Sequence, residues 1–243
     1  MRSFIIAIQF LTRIPVPAID NISERETGRS LLYYPLVGLV IGVLLSSLSW
    51  MLGTIAAGLQ AALLLAFWVL ITGGLHLDGL ADSADAWLGG YGDRQRTLEI
   101  MKDPYSGPAA VVLIVLLLLI KFAALQVLVS DHHGALLILA PLLARTALPV
   151  LFQTTPYVRA GGLGAAMASH VSSMEGVLLP VLTGFATIVL MGWSGVGLII
   201  AVMVSFILLR AMMLKRLGGT TGDTAGALVE VMEAVVLVVV VLV

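Results

Sequence analysis

Pro108–Ser130 reads P-A-A-V-V-L-I-V-L-L-L-L-I-K-F-A-A-L-Q-V-L-V-S, 23 residues in which Lys121 carries the one formal charge. A helix rises about 1.5 Å per residue, and the hydrocarbon core of a bilayer is about 30 Å thick, so about 20 apolar residues cross it. This run is long enough. It shows no alternation of period two, which sets aside a strand of a β-barrel. Six more stretches fit the same description: Leu31–Leu52, Thr54–Leu75, Gly134–Gln153, Gly176–Gly192, Ser194–Ala211 and Ala225–Val243. The Gly176 run is short and holds Pro180.

Composition agrees with that reading. Of 243 residues, 60% are hydrophobic and 11% charged, and the mean hydropathy is +1.08. A soluble domain carries about 25% charged residues. The expected fold is therefore all-α: a polytopic transmembrane helical bundle of about seven spans. It forms a single integral-membrane domain over 1–243, with 1–30 as an interfacial N-terminal segment and 31–243 as the bundle. Phe4–Leu11 is apolar but too short to span, and Arg13, Pro15 and Pro17 end it, so a short interfacial or re-entrant helix is expected there. Gly38 and Gly42 form a G-x-x-x-G suited to close helix packing. A net charge of −1 gives no reason to expect nucleic-acid binding. The absence of cysteine excludes disulfides, thiolate metal sites and cysteine nucleophiles.

Lys and Arg set the orientation. Eleven of the thirteen basic residues fall in the N-terminal segment or in alternate loops: Arg2, Arg13, Arg25, Arg29, Arg94, Arg96, Lys102, Arg159, Arg210, Lys215 and Arg216. The intervening loops around Gly53, Asp131–His133 and Gly192–Ser194 hold none. This places the N-terminus and the polar chemistry on the cytoplasmic side of the membrane, with the C-terminus outside. Most acids, Glu175 among them, fall on that same side.

His76–Asp85, H-L-D-G-L-A-D-S-A-D, is the most informative polar stretch. On a helix, Asp78, Asp82 and Asp85 fall within roughly 60° of one another at about 100° per residue. Three carboxylates on one stripe at a membrane boundary repel each other and resist desolvation, so a cation must compensate. Hard oxygen ligands favour Mg²⁺, Mn²⁺ or Ca²⁺. A solvated acidic face is the plainer alternative, but Leu77, Leu80, Ala81, Ala84 and Trp87 give the segment a half-buried character. His76 fits a supporting or packing role as well as a proton carrier.

A second constellation runs K-R-L-G-G-T-T-G-D-T-A-G-A-L-V-E-V-M-E over Lys215–Glu233. Its glycines, with Thr220, Thr221 and Thr224, precede the last span beside Lys215 and Arg216, an arrangement suited to a phosphate. The spacing is not that of a Walker A loop. Asp223, Glu230 and Glu233 share one side of the helix, and Glu230 is equally read as a packing hydrogen bond. Arg145, costly in lipid, should face an interior anion or carboxylate. Lys121 should snorkel or pair internally. Lys102 opens a turn, M-K-D-P-Y-S-G, that is ligand-facing or structural. Carboxylates for a divalent cation together with phosphate-ready loops suggest transfer of a phosphorylated group at the membrane surface.

The ordered motifs F-L-T-R-I-P-V-P (Phe10–Pro17), G-G-L-H-L-D-G-L-A-D-S-A-D (Gly73–Asp85), M-K-D…G (Met101–Gly107), Arg145, R-A-G-G-L-G (Arg159–Gly164) and K-R-L-G-G-T-T-G-D-T-A-G-A (Lys215–Ala227) resemble cobalamin synthase, the adenosylcobinamide-GDP ribazoletransferase family. They cover nearly the whole chain. The resemblance implies that the 5′-hydroxyl of α-ribazole, or of its 5′-phosphate, attacks the cobinamide-bearing phosphorus of adenosylcobinamide-GDP, releasing GMP with Mg²⁺ as cofactor. It implies Asp78, Asp82, Asp85 and Asp223 as metal ligands, and Asp85, Asp82 and His76 as catalytic groups, with Asp85 the first choice of base. Arg13, Lys102, Arg145, Arg159, Lys215, Arg216 and Thr221 would meet substrate. Besides the two substrates and the bilayer, partners to expect are a second copy of the chain or other corrinoid-pathway enzymes.

Two other classes compete. The aspartate motif is similar to the start of the CDP-alcohol phosphotransferase signature, D-G-x-x-A-R. The arginine is missing here, however, and Thr97 replaces the last acid of G-x-x-x-D-x-x-x-D. Intramembrane acids also mark ion-coupled transporters. Acids gathered at one interface, flanking basic loops and the lack of a repeat favour an enzyme.

Overall fold

A computed structural model describes residues 1–53, 55–159, 162–170 and 173–243. The side chains of Gly162, Ser173 and Glu175, and the Ala160–Gly161 part of R-A-G-G-L-G, lie outside the described residues. The helices in order are α1 (Arg2–Leu11), α2 (Glu24–Ser30), α3 (Tyr34–Leu52), α4 (Ala57–Thr72), α5 (Leu75–Gly89), α6 (Arg94–Ile100), α7 (Pro108–Ser130), α8 (Leu139–Thr154), α9 (Gly162–Ser169), α10 (Ser173–Met191), α11 (Trp193–Leu217) and α12 (Gly222–Leu242). Among the described residues there is no strand, only an isolated bridge between Tyr157 and Thr220.

The protein is a helical membrane bundle, with fewer clear spans than the apolar runs suggest. Five helices are long and apolar enough to cross a membrane, or six if the bent α4–α5 pair counts as one. The apolar part of α10, Gly176–Met191, falls short. The expected span Thr54–Leu75 does not run through. Its helix stops at Thr72, and α5 leaves at 88°. Gly73 and Gly74 make the corner at φ +64 and +68, a region open to glycine at little cost. Arg13 lies across the corner, its backbone N–H donating to Ile71 O at 2.7 Å. A Cβ on Gly73 would run into the Arg13 side chain.

α8 and α12 form the buried centre. Arg145 at 0% exposure, Leu151, Leu228, Glu233 and Val236 are among their sealed side chains. Lipid-facing residues instead crowd α7, α10 and α11, for example Leu116, Leu119, Phe185 and Ile207. The G-x-x-x-G of α3 packs on α8 and the turn before it: a Cβ on Gly38 would come within 2.9 Å of Leu142 Cα, and one on Gly42 within 2.6 Å of Ile138 Cα. α1 packs on α2 and α3. Ile6, Ala7 and Leu11 are buried, and Arg2 pairs with Glu26 at 2.7 Å.

Candidate active site

The aspartate stripe forms as its spacing requires, on α5. What brings it to α12 is a close approach of two backbones. A Cβ on Gly79 would lie 2.7 Å from Asp223 O, and one on Gly226 would lie 3.4 Å from His76 Cα. Glycine at position 79 lets the helices meet, a Cβ at position 226 making ordinary contact, and Asp78 and Asp223 line one cavity of about 200 Å³. Asp78 is exposed, while Asp82 and Asp223 are half-buried. Asp78, Asp223 and Asp85 all repel the Asp82 carboxylate, with Arg159 the cation that offsets them.

Two loops complete the site. Arg159 donates to Met101 O at 3.2 Å and reaches Asp223 Oδ2 at 3.0 Å. Between Arg159 and α8, Val158 N–H donates to Thr220 O at 3.0 Å, and Thr220 N–H returns to Pro156 O at 2.8 Å. Tyr157 thereby sits beside the start of α12. Burial raises its phenol above its ordinary value, the Arg159 guanidinium pulling the other way, so it stays a neutral donor at pH 7. Nothing in the sequence singles out Tyr157; only the fold brings it here.

Several expected residues have partners within the fold. Asp85 Oδ2 accepts from Gly107 N–H at 2.5 Å and Oδ1 from Ala110 N–H at 3.0 Å, capping α7. Thr221 is the N-cap of α12 in a reciprocal pair with Thr224. Arg216 braces α11 against Trp87 O at 2.5 Å and Thr97 Oγ1 at 3.2 Å. Arg145 is sealed in the bundle, where it pairs with Glu233 and approaches His76 Nδ1 at 3.4 Å. Lys121 contacts Glu230 and Glu233, each at 2.5 Å, and lies over the Trp68 ring. The interior carboxylate that Arg145 demands is therefore Glu233, and Lys121 does pair internally. Arg13, Lys102 and Lys215 are exposed.

The donor chemistry suits a hard cation. Asp223 is half-buried with Arg159 as the cation on its Oδ2, and Asp78 and Asp82 are the like charges beside it. Among the described residues, no three His, Asp or Glu side chains already stand as a ready coordination shell.

Residues 3–241 match the model of a family described as cobalamin-5-phosphate synthase. A Pseudomonas fluorescens protein named adenosylcobinamide-GDP ribazoletransferase is 56% identical over 237 residues, 98% of each chain. Proteins of the same name from Pseudomonas syringae, at 54% over 98% of each chain, and Pseudomonas putida, at 56% over 97%, are similarly related. No solved structure matches the chain.

Proposed function

The chain belongs to the cobalamin-5-phosphate synthase family, and on that premise we propose that it is an adenosylcobinamide-GDP ribazoletransferase with its site on the cytosolic face of the inner membrane. A free ribose hydroxyl oxygen of α-ribazole, or of its 5′-phosphate, forms a bond to the phosphorus that carries cobinamide; it is not the 5′ oxygen, which the 5′-phosphate has already esterified. The anhydride bond to the guanylyl phosphate breaks, and GMP leaves with that electron pair. The observation that carries this reading is that Asp78 and Asp223, on separate elements 145 positions apart by their numbers, line one cavity with Asp82 alongside.

Asp78 and Asp223 would hold Mg²⁺, which supplies neutralisation of the diphosphate charge. Asp82 takes the proton of the attacking hydroxyl, since protonation relieves its repulsion by three neighbouring carboxylates. Arg159, already on Asp223, turns a guanidinium edge to phosphate oxygens. Arg13, Lys102 and Lys215 offer exposed positive charge to the phosphates or the corrinoid. Asp85, Thr221 and Arg216 are left out of this set because they are engaged within the fold, and Arg145 because it is sealed in the bundle against Glu233.

Detergent-purified protein given adenosylcobinamide-GDP, α-ribazole and Mg²⁺ is expected to release GMP and form a cobalamin product, and EDTA should abolish both. A folded sample that releases no nucleotide under these conditions would overturn the assignment.

A further inference from the structure

We propose that the cavity enclosed by α1, α5, α8, α9 and α12 seats the aromatic base of the acceptor alcohol, with His76 as the hydrogen-bond donor that recognises it. This rests on the transferase reading above and adds the location and selectivity of one substrate. Size makes the first argument. At about 200 Å³ the cavity lies below the roughly 300–1,000 Å³ of ordinary ligand pockets. It exceeds the roughly 150 Å³ apolar cavity that holds a benzene. A flat bicyclic ring fits such a space; a corrin macrocycle does not. The cavity therefore discriminates between the two substrates, in favour of the smaller.

Its lining makes the second. Phe10, Phe152 and Met167 supply apolar and aromatic wall, while Asp78 and Asp223 belong to the same lining. A base held against the wall thus keeps its attached ribose beside Asp78 and Asp223, the residues proposed to hold Mg²⁺. The remaining hydroxyl near the wall is already used, since Tyr34 donates to Met167 Sδ at 3.5 Å.

His76 makes the third. It lines the cavity and is 4% exposed. Its Nδ1 faces the Arg145 NH2 group at 3.4 Å, a long contact. Arginine has donors only, so Nδ1 is the acceptor and the ring proton sits on Nε2. The second ring nitrogen is then an N–H donor on a residue that lines the cavity, available to an acceptor on a bound ring. A benzimidazole-type base bonded to ribose through one nitrogen presents the other as such an acceptor. Arg145 is a positioning residue in this scheme, fixing which histidine nitrogen carries the proton.

Equilibrium binding of free benzimidazole and of indole to the purified full chain tests this, because the two rings differ by one nitrogen in place of a C–H. Benzimidazole is expected to bind about tenfold more tightly than indole, the worth of about one hydrogen bond. It should compete with α-ribazole in the GMP-release assay and leave the KM for adenosylcobinamide-GDP unchanged. Phe152→Ala should weaken both probes, while His76→Leu should bring their affinities together. Equal affinity of the wild-type protein for the two rings, no binding of either, or competition with adenosylcobinamide-GDP instead would overturn the proposal without needing any variant to fold. Benzimidazole selectivity in a protein that releases no GMP would uphold the pocket and remove the transferase reading. Turnover unaffected by benzimidazole would do the reverse.

Discussion

Asp78 and Asp85 are the same side chain on the same stripe of α5, yet their surroundings give them different work. Asp78 is exposed and lines the cavity with Asp223. Asp85 spends both oxygens on backbone N–H groups of Gly107 and Ala110. Such bonds to a charged acceptor contribute about 1.5–3 kcal/mol each. Asp78→Asn should therefore lower kcat by more than about 100-fold, since even partners behind metal ligands cost about 10–100-fold, with the thermal melt in detergent unchanged. Asp85→Ala should do the opposite first, lowering the melting temperature by several degrees. An Asp85→Ala protein that melts like wild type would remove the capping role, and wild-type turnover in Asp78→Asn would remove the ligand role. The stripe itself is legible in the spacing of Asp78, Asp82 and Asp85. That its last member turns away is not, because its partners lie 22 and 25 positions along the chain and spacing within one helix carries no information about them.

At the scale of elements, the site exists because α5 leaves α4 at 88° and lies against the first turns of α12. The sequence reads as a span followed by an acidic helix; the corner between them rests on Gly73, Gly74 and the overlying Arg13, and hydropathy does not register a change of direction. Contact between α5 and α12 depends on Gly79. A larger residue there cannot keep the present distance, since its Cβ would lie 2.7 Å from Asp223 O and 3.0 Å from Asp223 Cα, both backbone atoms. Gly79→Val should thus push Asp223 away from Asp78 and cut turnover by about 100-fold, the order of loss that a 1 Å misplacement brings. Gly58→Val on α4, where an added Cβ meets nothing within 4 Å, should keep wild-type turnover in the same assay. Equal activity of the two variants would show that this helix contact does not position the acids. The buried cluster of Lys121, Arg145, Glu230 and Glu233 links α7, α8 and α12 behind the contact. The sequence shows that such charges need partners, and the fold shows which.

Across the whole molecule, the loops sort into two groups. Those without basic residues gather at one end: Ser49, Gly53, His132 and Gly134 share a cavity. Ser194 at the start of α11 donates to the carbonyl of Val243 at 3.0 Å, so the end of α12 lies level with that loop. The basic loops gather at the other end, where Arg159 joins Met101 O and Asp223 and Arg216 joins Trp87 O. With Lys and Arg retained on the cytosolic side, the carboxylates should face the cytosol, where a nucleotide-activated substrate and its GMP product are handled. The chain has no cysteine, so single replacements report position against an empty background. In intact spheroplasts, a membrane-impermeant maleimide should label His132→Cys and spare Ser106→Cys; after the membrane is opened it should label both. The reverse pattern would put the active-site carboxylates outside and exclude a supply of substrate from the cytosol.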